Sequence, residues 1–275
     1  MARPNLSYLK NLLLVLTGIP CGLIVGCTGI GIGVLLLPML GYLLGSKSLR
    51  YPGTMEVVSI VAAVAGLVGY AQNGEVVWTL ALVLLGSQIL GAAIAQRIGL
   101  SSRSHSVLLR VGAVVTIVAG FAITAASQSH GIKTFGGAHL GHLGTTAPLT
   151  LGAAQFAHAV LVGLICGVVS EAFDLGGLFL PMITTFGLGL PVAMAQGTAL
   201  AALLPLYLLI LPLRLQAGMV EARPATWLSL GALFGALTGG QLAALSLPGR
   251  TLLIVSGGIY CVVGLIRFLQ TTPKK

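Results

Sequence analysis

The sequence predicts an all-α, polytopic membrane protein with about eight to ten transmembrane helices in two inverted-topology repeats. Three observations predict this class: a strongly apolar composition, apolar runs of membrane-spanning length, and an internal repeat that divides the chain near its middle. Two short segments rich in glycine and proline interrupt the apolar runs. They are predicted to be broken or re-entrant helices.

The composition places the chain in the bilayer. Of the 275 residues, 56% are hydrophobic and only 7% are charged, and the mean hydropathy is +1.04. Soluble domains carry about 25% charged residues. Because a membrane helix needs about 20 apolar residues, the chain has room for roughly eight to ten crossings and for no separate soluble domain.

Apolar runs bounded by charged residues, glycine or proline divide the chain into successive segments. The second and the seventh are too short to span comfortably, and each contains a proline, Pro38 and Pro181. A re-entrant hairpin in place of the first two segments remains an alternative. The predicted segments are 11–30, 32–46, 54–72, 76–97, 106–126, 149–169, 176–190, 195–213, 224–245 and 250–270.

Basic residues predict the orientation. If the N-terminus is cytoplasmic and every segment crosses, the 14 Lys and Arg residues all fall on the cytoplasmic side except Lys133 and Arg250. This asymmetry follows the positive-inside rule. No small-residue cleavage site follows the first apolar run, so that run is predicted to remain as the first helix. We expect a multi-pass protein of a bacterial-type inner (cytoplasmic) membrane, with both termini cytoplasmic.

An internal repeat relates the two halves of the chain. GLIVG at Gly22–Gly26 matches GLICG at Gly163–Gly167, and the pair Gly53-Thr54 matches Gly197-Thr198. LPM sequences follow at residues 37–39 and 180–182. These matches predict two structural copies of one helical unit.

The repeat predicts the domain organisation. We expect a first membrane repeat at residues 1–126, an extracytoplasmic linker at 127–148 and a second membrane repeat at 149–275. Five crossings per copy is an odd number, so the second copy begins on the opposite face and is inverted. Such symmetry allows a central site to open to each side in turn as one half rocks against the other.

The sequence predicts neither a metal nor another cofactor. The linker contains His130, His139 and His142, and a metal-binding loop is one interpretation of the HLGH spacing. A solvated loop is the other, because no cysteine or carboxylate accompanies these histidines. The four cysteines lie in apolar stretches and are interpreted as small helix residues. The scattered basic residues form no stripe with interleaved aromatics, so a nucleic-acid partner is not expected.

The two glycine-rich breaks are the predicted substrate site. Unwound backbone exposes N–H and C=O groups, which must face protein or a wet cavity because lipid cannot satisfy them. The N–H groups and the positive end of the following helix dipole suit an anion. Close helix packing through small residues is the alternative for any single glycine. The residues of the predicted site are Gly29, Gly31, Gly33 and Pro38 in the first break, and Gly176, Gly177 and Pro181 in the second.

Three polar residues near helix starts are added to this site. Thr54 and Thr198 occupy repeat-related positions, and Gln196 lies two residues before Thr198. We expect their side chains to line the walls of the site. The alternative is that the two threonines only cap their helices.

Three carboxylates are candidates for proton coupling. Glu171 and Asp174 follow segment six and are three residues apart, which places them on one face if that stretch is helical. Carboxylates at membrane depth are costly and mark coupling or permeation sites. Alternatively, the two residues lie in water and cap segment seven. Glu56 is the third candidate, although an acidic residue in a first helical turn also compensates the helix dipole.

The chain contains no motif typical of an enzyme. A GxSxG nucleophile elbow, an HExxH zinc motif and a phosphate-binding loop with lysine are all absent from the sequence. We therefore expect a protein that is not an enzyme.

With these motifs in place, nearly the whole chain resembles the sulfite exporter TauE/SafE family of membrane permeases. The resemblance rests on GxGxGxxxxP at Gly29–Pro38, on its second copy from Gly176 to Pro181, on the two Gly-Thr pairs and on the stretch Tyr70–Val76. It implies export of small sulfur-containing anions, such as sulfite, sulfoacetate or other sulfonates, driven by the proton motive force.

The predicted function is therefore secondary transport of a small anion across the bilayer, with protons as the coupling ion. A permease for a small carboxylate or a neutral solute is the nearest alternative. A membrane subunit that scaffolds a partner without transport is a third, but a scaffold does not need paired breaks at matching positions.

Overall fold

The computed structural model describes residues 6–31, 51–99, 106–128, 152–173 and 177–271. Over these ranges the protein contains nine α-helices and no strands. We number the helices α1 Leu6–Thr28, α2 Tyr51–Gln72, α3 Trp78–Arg97, α4 Ser106–Gln128, α5 Ala153–Phe173, α6 Leu180–Leu188, α7 Val192–Gln216, α8 Ala222–Leu245 and α9 Gly249–Thr271.

Eight of these helices are long and apolar enough to cross a membrane. The exception is α6, whose nine residues extend over only about 14 Å at 1.5 Å per residue. The prediction of an all-α, polytopic membrane protein is confirmed, and the helix ends lie within a few residues of the predicted segments. Segment 32–46 lies outside the described residues.

The outer surface of the bundle is apolar, as a lipid environment requires. Large side chains such as Phe121 on α4 and Phe234 on α8 are 67% and 62% exposed. In water such a surface would be costly, whereas acyl chains accommodate it. The polar residues that matter for function are therefore to be found inside the bundle.

Helices α1 and α8 pack closely through glycine. A Cβ atom added at Gly22 would overlap the carbonyl of Ala232, and one at Gly26 would overlap that of Ala236. On the opposite side of the same interface, a Cβ at Gly235 would overlap the carbonyl of Ile19. Small residues at four-residue spacing allow backbones to approach in this way. Successive contacts involve increasing residue numbers on both helices, so α1 and α8 are parallel.

The same arrangement recurs between α3 and α5. A Cβ at Gly163 would overlap the Ser87 side chain, and one at Gly167 would overlap the carbonyl of Gln88. These two helices are also parallel. Gly22–Gly26 on α1 and Gly163–Gly167 on α5 are the matched motifs of the sequence, and at both places the glycines allow close helix packing.

The two Gly-Thr pairs make matching contacts with two loops. The Thr198 hydroxyl accepts a hydrogen bond from the main-chain N–H of Val77 at 3.1 Å, and the Thr54 hydroxyl accepts one from that of Glu221 at 2.9 Å. The partners are related by one offset, since 198 − 54 and 221 − 77 both equal 144. Each half of the chain thus holds a loop of the other.

One prediction about a helix start is wrong. The sequence placed Glu56 in the first turn of its helix, where it would compensate the dipole. However, α2 begins at Tyr51, with Pro52 as its second residue, and its first turn contains no acidic residue. The effect of the helix dipole falls off within the first turn, so it does not account for the position of Glu56.

Candidate functional site

The first glycine break ends α1. The helix stops at Thr28, and Gly29 follows with a φ of +67°, a conformation that favours glycine. The N–H of Gly29 still donates to the carbonyl of Val25 at 2.8 Å, which closes the last turn. Gly31 is buried and lies outside any helix. Gly33 and Pro38 lie outside the described residues.

The second break separates α5 from α6. Helix α5 ends at Phe173, residues 177–179 form a turn, and α6 begins at Leu180 with Pro181 in its first turn. The main-chain N–H of Leu180 donates to the carbonyl of Gly177 at 3.3 Å. Gly176 and Asp174 lie outside the described part of the chain. In both breaks the residues that are described between the helices are non-helical.

The two breaks approach each other against α7. A Cβ atom at Gly31 would lie 3.8 Å from the main-chain nitrogen of Gly177, and it would overlap the hydroxyl of Tyr207. A Cβ at Gly177 would overlap the side chain of Leu203. Leu203 is the twelfth of the 25 residues of α7. The breaks therefore meet near the middle of a helix that is long enough to cross the bilayer.

A cavity adjoins the end of the first break. Its volume is about 20 Å³, which is room for about one water molecule. Two predicted site residues, Gln196 and Pro181, belong to its wall, and Thr28 joins it to the first break. The wall is largely apolar, but it includes an amide and several hydroxyls. The lining residues are Thr28, Ile123, Pro181, Met182, Thr185, Phe186, Val192, Gln196, Leu253, Ser256 and Tyr260.

Gln196 is the polar centre of this wall. Its Oε1 lies 3.0 Å from the Tyr70 hydroxyl, and its Nε2 donates to the Ser256 hydroxyl at 3.4 Å. The Tyr70 hydroxyl also donates to the carbonyl of Gly26 at 2.7 Å. These bonds connect α1, α2, α7 and α9 beside the first break, so Gln196 is held in one orientation.

Tyr260 provides the corresponding support for the second break. Its hydroxyl donates to the carbonyl of Leu178, and its ring packs against Phe179 with centroids 5.9 Å apart. Sequence reasoning missed Tyr260, Ser256 and Tyr207. No repeat partner or motif marks them, and single polar residues in apolar helices are common, so the sequence carried no signal for them.

Thr54 and Thr198 are fully buried, but they do not line the cavity. Both hydroxyls accept hydrogen bonds from main-chain N–H groups of loops. In both bonds the donor precedes another helix, α3 or α8, so these contacts are not the caps of α2 and α7 that we gave as the alternative. Their place in the wall of a substrate site therefore stays a prediction without a supporting contact.

The candidate coupling carboxylates lie in different surroundings. Glu56 is half-buried, and its Oε2 accepts no hydrogen bond from any residue that the structure describes. Glu171 is half-buried in the last turn of α5, two residues before its end. Of these two, Glu56 is the one with a buried oxygen that accepts no described hydrogen bond.

Metal ligands do not gather in the described part of the chain. Its residues include no group of three or more His, Cys, Asp or Glu that could hold a metal ion. The linker residues His130, His139 and His142 lie outside the described ranges, so the metal-binding interpretation of that loop stays open as a prediction.

Comparison with known proteins yields one match. Residues 2–123 match the family Sulfite exporter TauE/SafE, and this stretch includes the first break and most of α1 to α4. No curated protein and no solved structure matches the chain. The match supports the family inferred from the motifs: over residues 2–123, the chain is similar to the TauE/SafE sulfite exporters, a family of membrane transporters.

Proposed function

We propose that this protein is a secondary transporter that exports small sulfur-containing anions, such as sulfite or organosulfonates, by alternating access. The observation that carries the proposal is the approach of Gly31 to Gly177 beside the middle of α7. Interrupted helices whose breaks meet at this depth are typical of substrate sites in secondary transporters. The family match supports transport in general, and the identity of the anion is our inference.

The chemistry around the breaks favours an anion. The N-terminus of α6 lies at the cavity, because Pro181 and Met182 line it. A helix N-terminus presents N–H groups and partial positive charge. Among the described residues of the cavity wall there is an amide and there are hydroxyls, but no carboxylate. In a transport state with a wider cavity, these groups would donate hydrogen bonds to the oxygens of sulfite or of a sulfonate without opposing its charge.

The helix packing supports two inverted repeats at 1–126 and 149–275, joined by the linker 127–148. In inverted repeats, the first helices of the two copies, α1 and α5, cross the membrane in opposite directions. We then expect α1 to pack on a parallel helix of the second copy, and α5 to pack on a parallel helix of the first copy. The parallel pairs α1–α8 and α3–α5 have this form. The matching hydrogen bonds of Thr54 and Thr198 at one offset support the same symmetry.

Glu56, Glu171 and Asp174 are the residues proposed to couple transport to protons. Glu56 has the best support, because it is half-buried in α2, with an oxygen that accepts no described hydrogen bond. A carboxylate in such a place exchanges a proton at a lower cost than one fixed by hydrogen bonds. The orientation with cytoplasmic termini rests on the distribution of Lys and Arg.

Flux measurements in proteoliposomes test the proposal. We expect labelled sulfite and sulfoacetate to cross, and an imposed pH gradient to change the rate. Gly31→Leu should abolish flux, because any side chain there meets Tyr207 and the second break. Gly86→Leu is the matched control, since its added Cβ has no atom of a described residue within 4 Å. Both variants must be recovered as folded protein.

Three results would count against parts of this proposal. Normal flux in Gly31→Leu would contradict the proposed substrate site. A flux that does not change with the pH gradient would contradict proton coupling. Faster movement of acetate or a neutral solute than of any sulfur anion would favour the alternative permease. If no solute crossed, the non-transporting scaffold would be the remaining candidate.

A further inference from the structure

Arg267 lies at one edge of the second break. It belongs to α9, and its Nη1 donates a hydrogen bond to the carbonyl of Phe173 at 3.0 Å. Phe173 is the last residue of α5, so this bond places a guanidinium where the second break begins. Arg267 is half-buried, whereas Arg97 at the end of α3 is exposed. An arginine that only anchored the end of its helix would extend its guanidinium towards headgroups or water.

One face of α9 connects Arg267 with the cavity. Leu253, Ser256 and Tyr260 of this helix line the cavity. Arg267 follows Tyr260 by seven residues, which is two helical turns and about 10 Å along the axis. The two side chains therefore lie on the same face of α9. Val263 lies between them on this face and is buried.

The second break lies between these two residues of α9. The Tyr260 hydroxyl donates to the carbonyl of Leu178, and Arg267 donates to that of Phe173. Helix α9 thus holds the break on both sides, at the cavity and at the opposite edge. The distribution of basic residues assigns the Arg267 end of α9 to the cytoplasm. An anion that moves from there to the cavity along this face meets Arg267 before it meets the break.

A guanidinium group suits a sulfur oxyanion. It is planar, permanently charged and has five N–H donors, so a bond to one carbonyl does not occupy all of them. Sulfite and sulfonates present pairs of oxygens that two parallel N–H groups bind. Glu171 lies two residues before Phe173, so a carboxylate is present at the same end of α5. It lowers the local positive potential, which favours a moderate affinity and allows the anion to move on.

We propose that Arg267 binds the transported anion at the cytoplasmic end, before the anion reaches the breaks and the cavity. This inference rests on the proposed function and adds to it a cationic binding step for small sulfur oxyanions. The described residues of the cavity wall are all neutral, so Arg267 supplies a charge that they lack. A charge at an entrance raises the local concentration of an oppositely charged solute, and salt screens this effect.

Transport kinetics in everted membrane vesicles test this, because the cytoplasmic end of the protein then faces the added sulfite. Initial rates of labelled sulfite uptake under one fixed pH gradient give KM and Vmax for wild type and Arg267→Gln, at low and at high ionic strength. Arg267→Gln should raise KM about tenfold at low ionic strength and leave Vmax near that of wild type. Its KM should also depend less on salt, because the charge that salt screens has been removed.

Two further variants separate binding of the anion from the capping of α5. Arg267→Lys keeps the positive charge and should recover most of the affinity that Arg267→Gln loses. Arg97→Gln removes a positive charge on the same predicted side, at an exposed position, and should leave KM unchanged. A residue that only capped α5 would change the unfolding midpoint or Vmax, but not the salt dependence of KM. The unfolding midpoint of each variant is therefore measured in parallel.

The inference fails on any of three results. The first is a KM in Arg267→Gln equal to that of wild type. The second is an equal rise of KM in Arg97→Gln, which would indicate a general effect of surface charge. The third needs no variant: it is a wild-type KM that does not change with ionic strength. Each of these leaves the proposed function intact as long as wild type transports sulfite, whereas absence of sulfite flux in wild type would refute the proposed function and this inference with it.

Discussion

Gly31→Ala combined with Tyr207→Phe provides a sharp test of how the first break is packed. A methyl group at position 31 would overlap the Tyr207 hydroxyl. The next nearest atoms are Cζ of the same ring, at 3.7 Å, and the main-chain nitrogen of Gly177, at 3.8 Å, which are ordinary contacts. Gly31 is not among the glycines with positive φ, so alanine itself fits the backbone. Among the described residues, the hydroxyl is therefore the single obstacle.

The expected magnitudes follow from this geometry. Forcing a methyl group into a packed interior costs about 1–3 kcal/mol. Gly31→Ala should lower the free energy of unfolding by this amount in the wild-type background. In the Tyr207→Phe background the obstacle is gone, and most of the loss should disappear. The coupling free energy between the two substitutions should then be at least about 1 kcal/mol, which is typical of residues in contact.

Unfolding in detergent, followed by tryptophan fluorescence, measures the free energy of unfolding of wild type, of the two single variants and of the double variant. Gly86→Ala and Gly258→Ala are matched controls, because a Cβ at either position meets no described atom within 4 Å. We expect them to be neutral or slightly stabilising. An equal loss from Gly31→Ala in both backgrounds would refute the close approach of Tyr207 to the first break.

Three further outcomes can be checked with the same preparation. Thr198→Val should cost about 1–3 kcal/mol, because it leaves a buried main-chain N–H without its acceptor, whereas Thr198→Ser should cost less; equal losses would contradict this. Gly235→Ala should destabilise more than Gly86→Ala, since its methyl meets a backbone carbonyl of α1; equal unfolding midpoints would argue against the packing of α1 on α8. Burial raises the pKa of Glu75 above its ordinary value of 4.5. The folded protein therefore keeps this proton where the unfolded chain has lost it, and stability falls as pH rises from about 4.5 through the raised value. Glu75→Gln should reduce this dependence of stability on pH, and an unchanged dependence would contradict the raised pKa of Glu75.

The sequence was sufficient for the fold because the signals of a membrane protein are local. Long apolar runs between charged or glycine-rich ends predicted the helices, and the eight spanning candidates lie where they were expected. The matched GLIVG and GLICG motifs also predicted related units. Their use in helix packing was visible only in the structure, because spacing alone does not say which neighbour a glycine faces.

The candidate site was predicted only in part. The breaks at Gly29 and Gly177 were apparent because glycine and proline are rare at such density in apolar sequence. The partners of Gln196 were not, since Tyr70 and Ser256 lie 126 and 60 residues away along the chain and reach it only through the packing of α2 and α9 against α7. Interactions across that distance depend on register, which composition and periodicity do not specify.

The packing also bears on which parts move. The repeat predicted that one half rocks against the other, yet α1 is interlocked with α8 and α5 with α3, so each half is tied to the other by glycine contacts. Separating them would expose backbone packed at close range. Helices α4 and α9 instead pair with each other, for example at Gly120 and Gly257. The cavity lies between this pair, which contributes Ile123 and Ser256, and helices α6 and α7.

We therefore expect the α4–α9 pair to move against the remaining helices during transport. Spin labels on lipid-facing positions test this, since Leu16 on α1, Leu230 on α8 and Val262 on α9 are each about half exposed. Saturating sulfite should change the separation between labels at Leu16 and Val262 but leave the separation between Leu16 and Leu230 unchanged. The opposite pattern would show that the interlocked helices separate, and it would restore the motion of one half against the other.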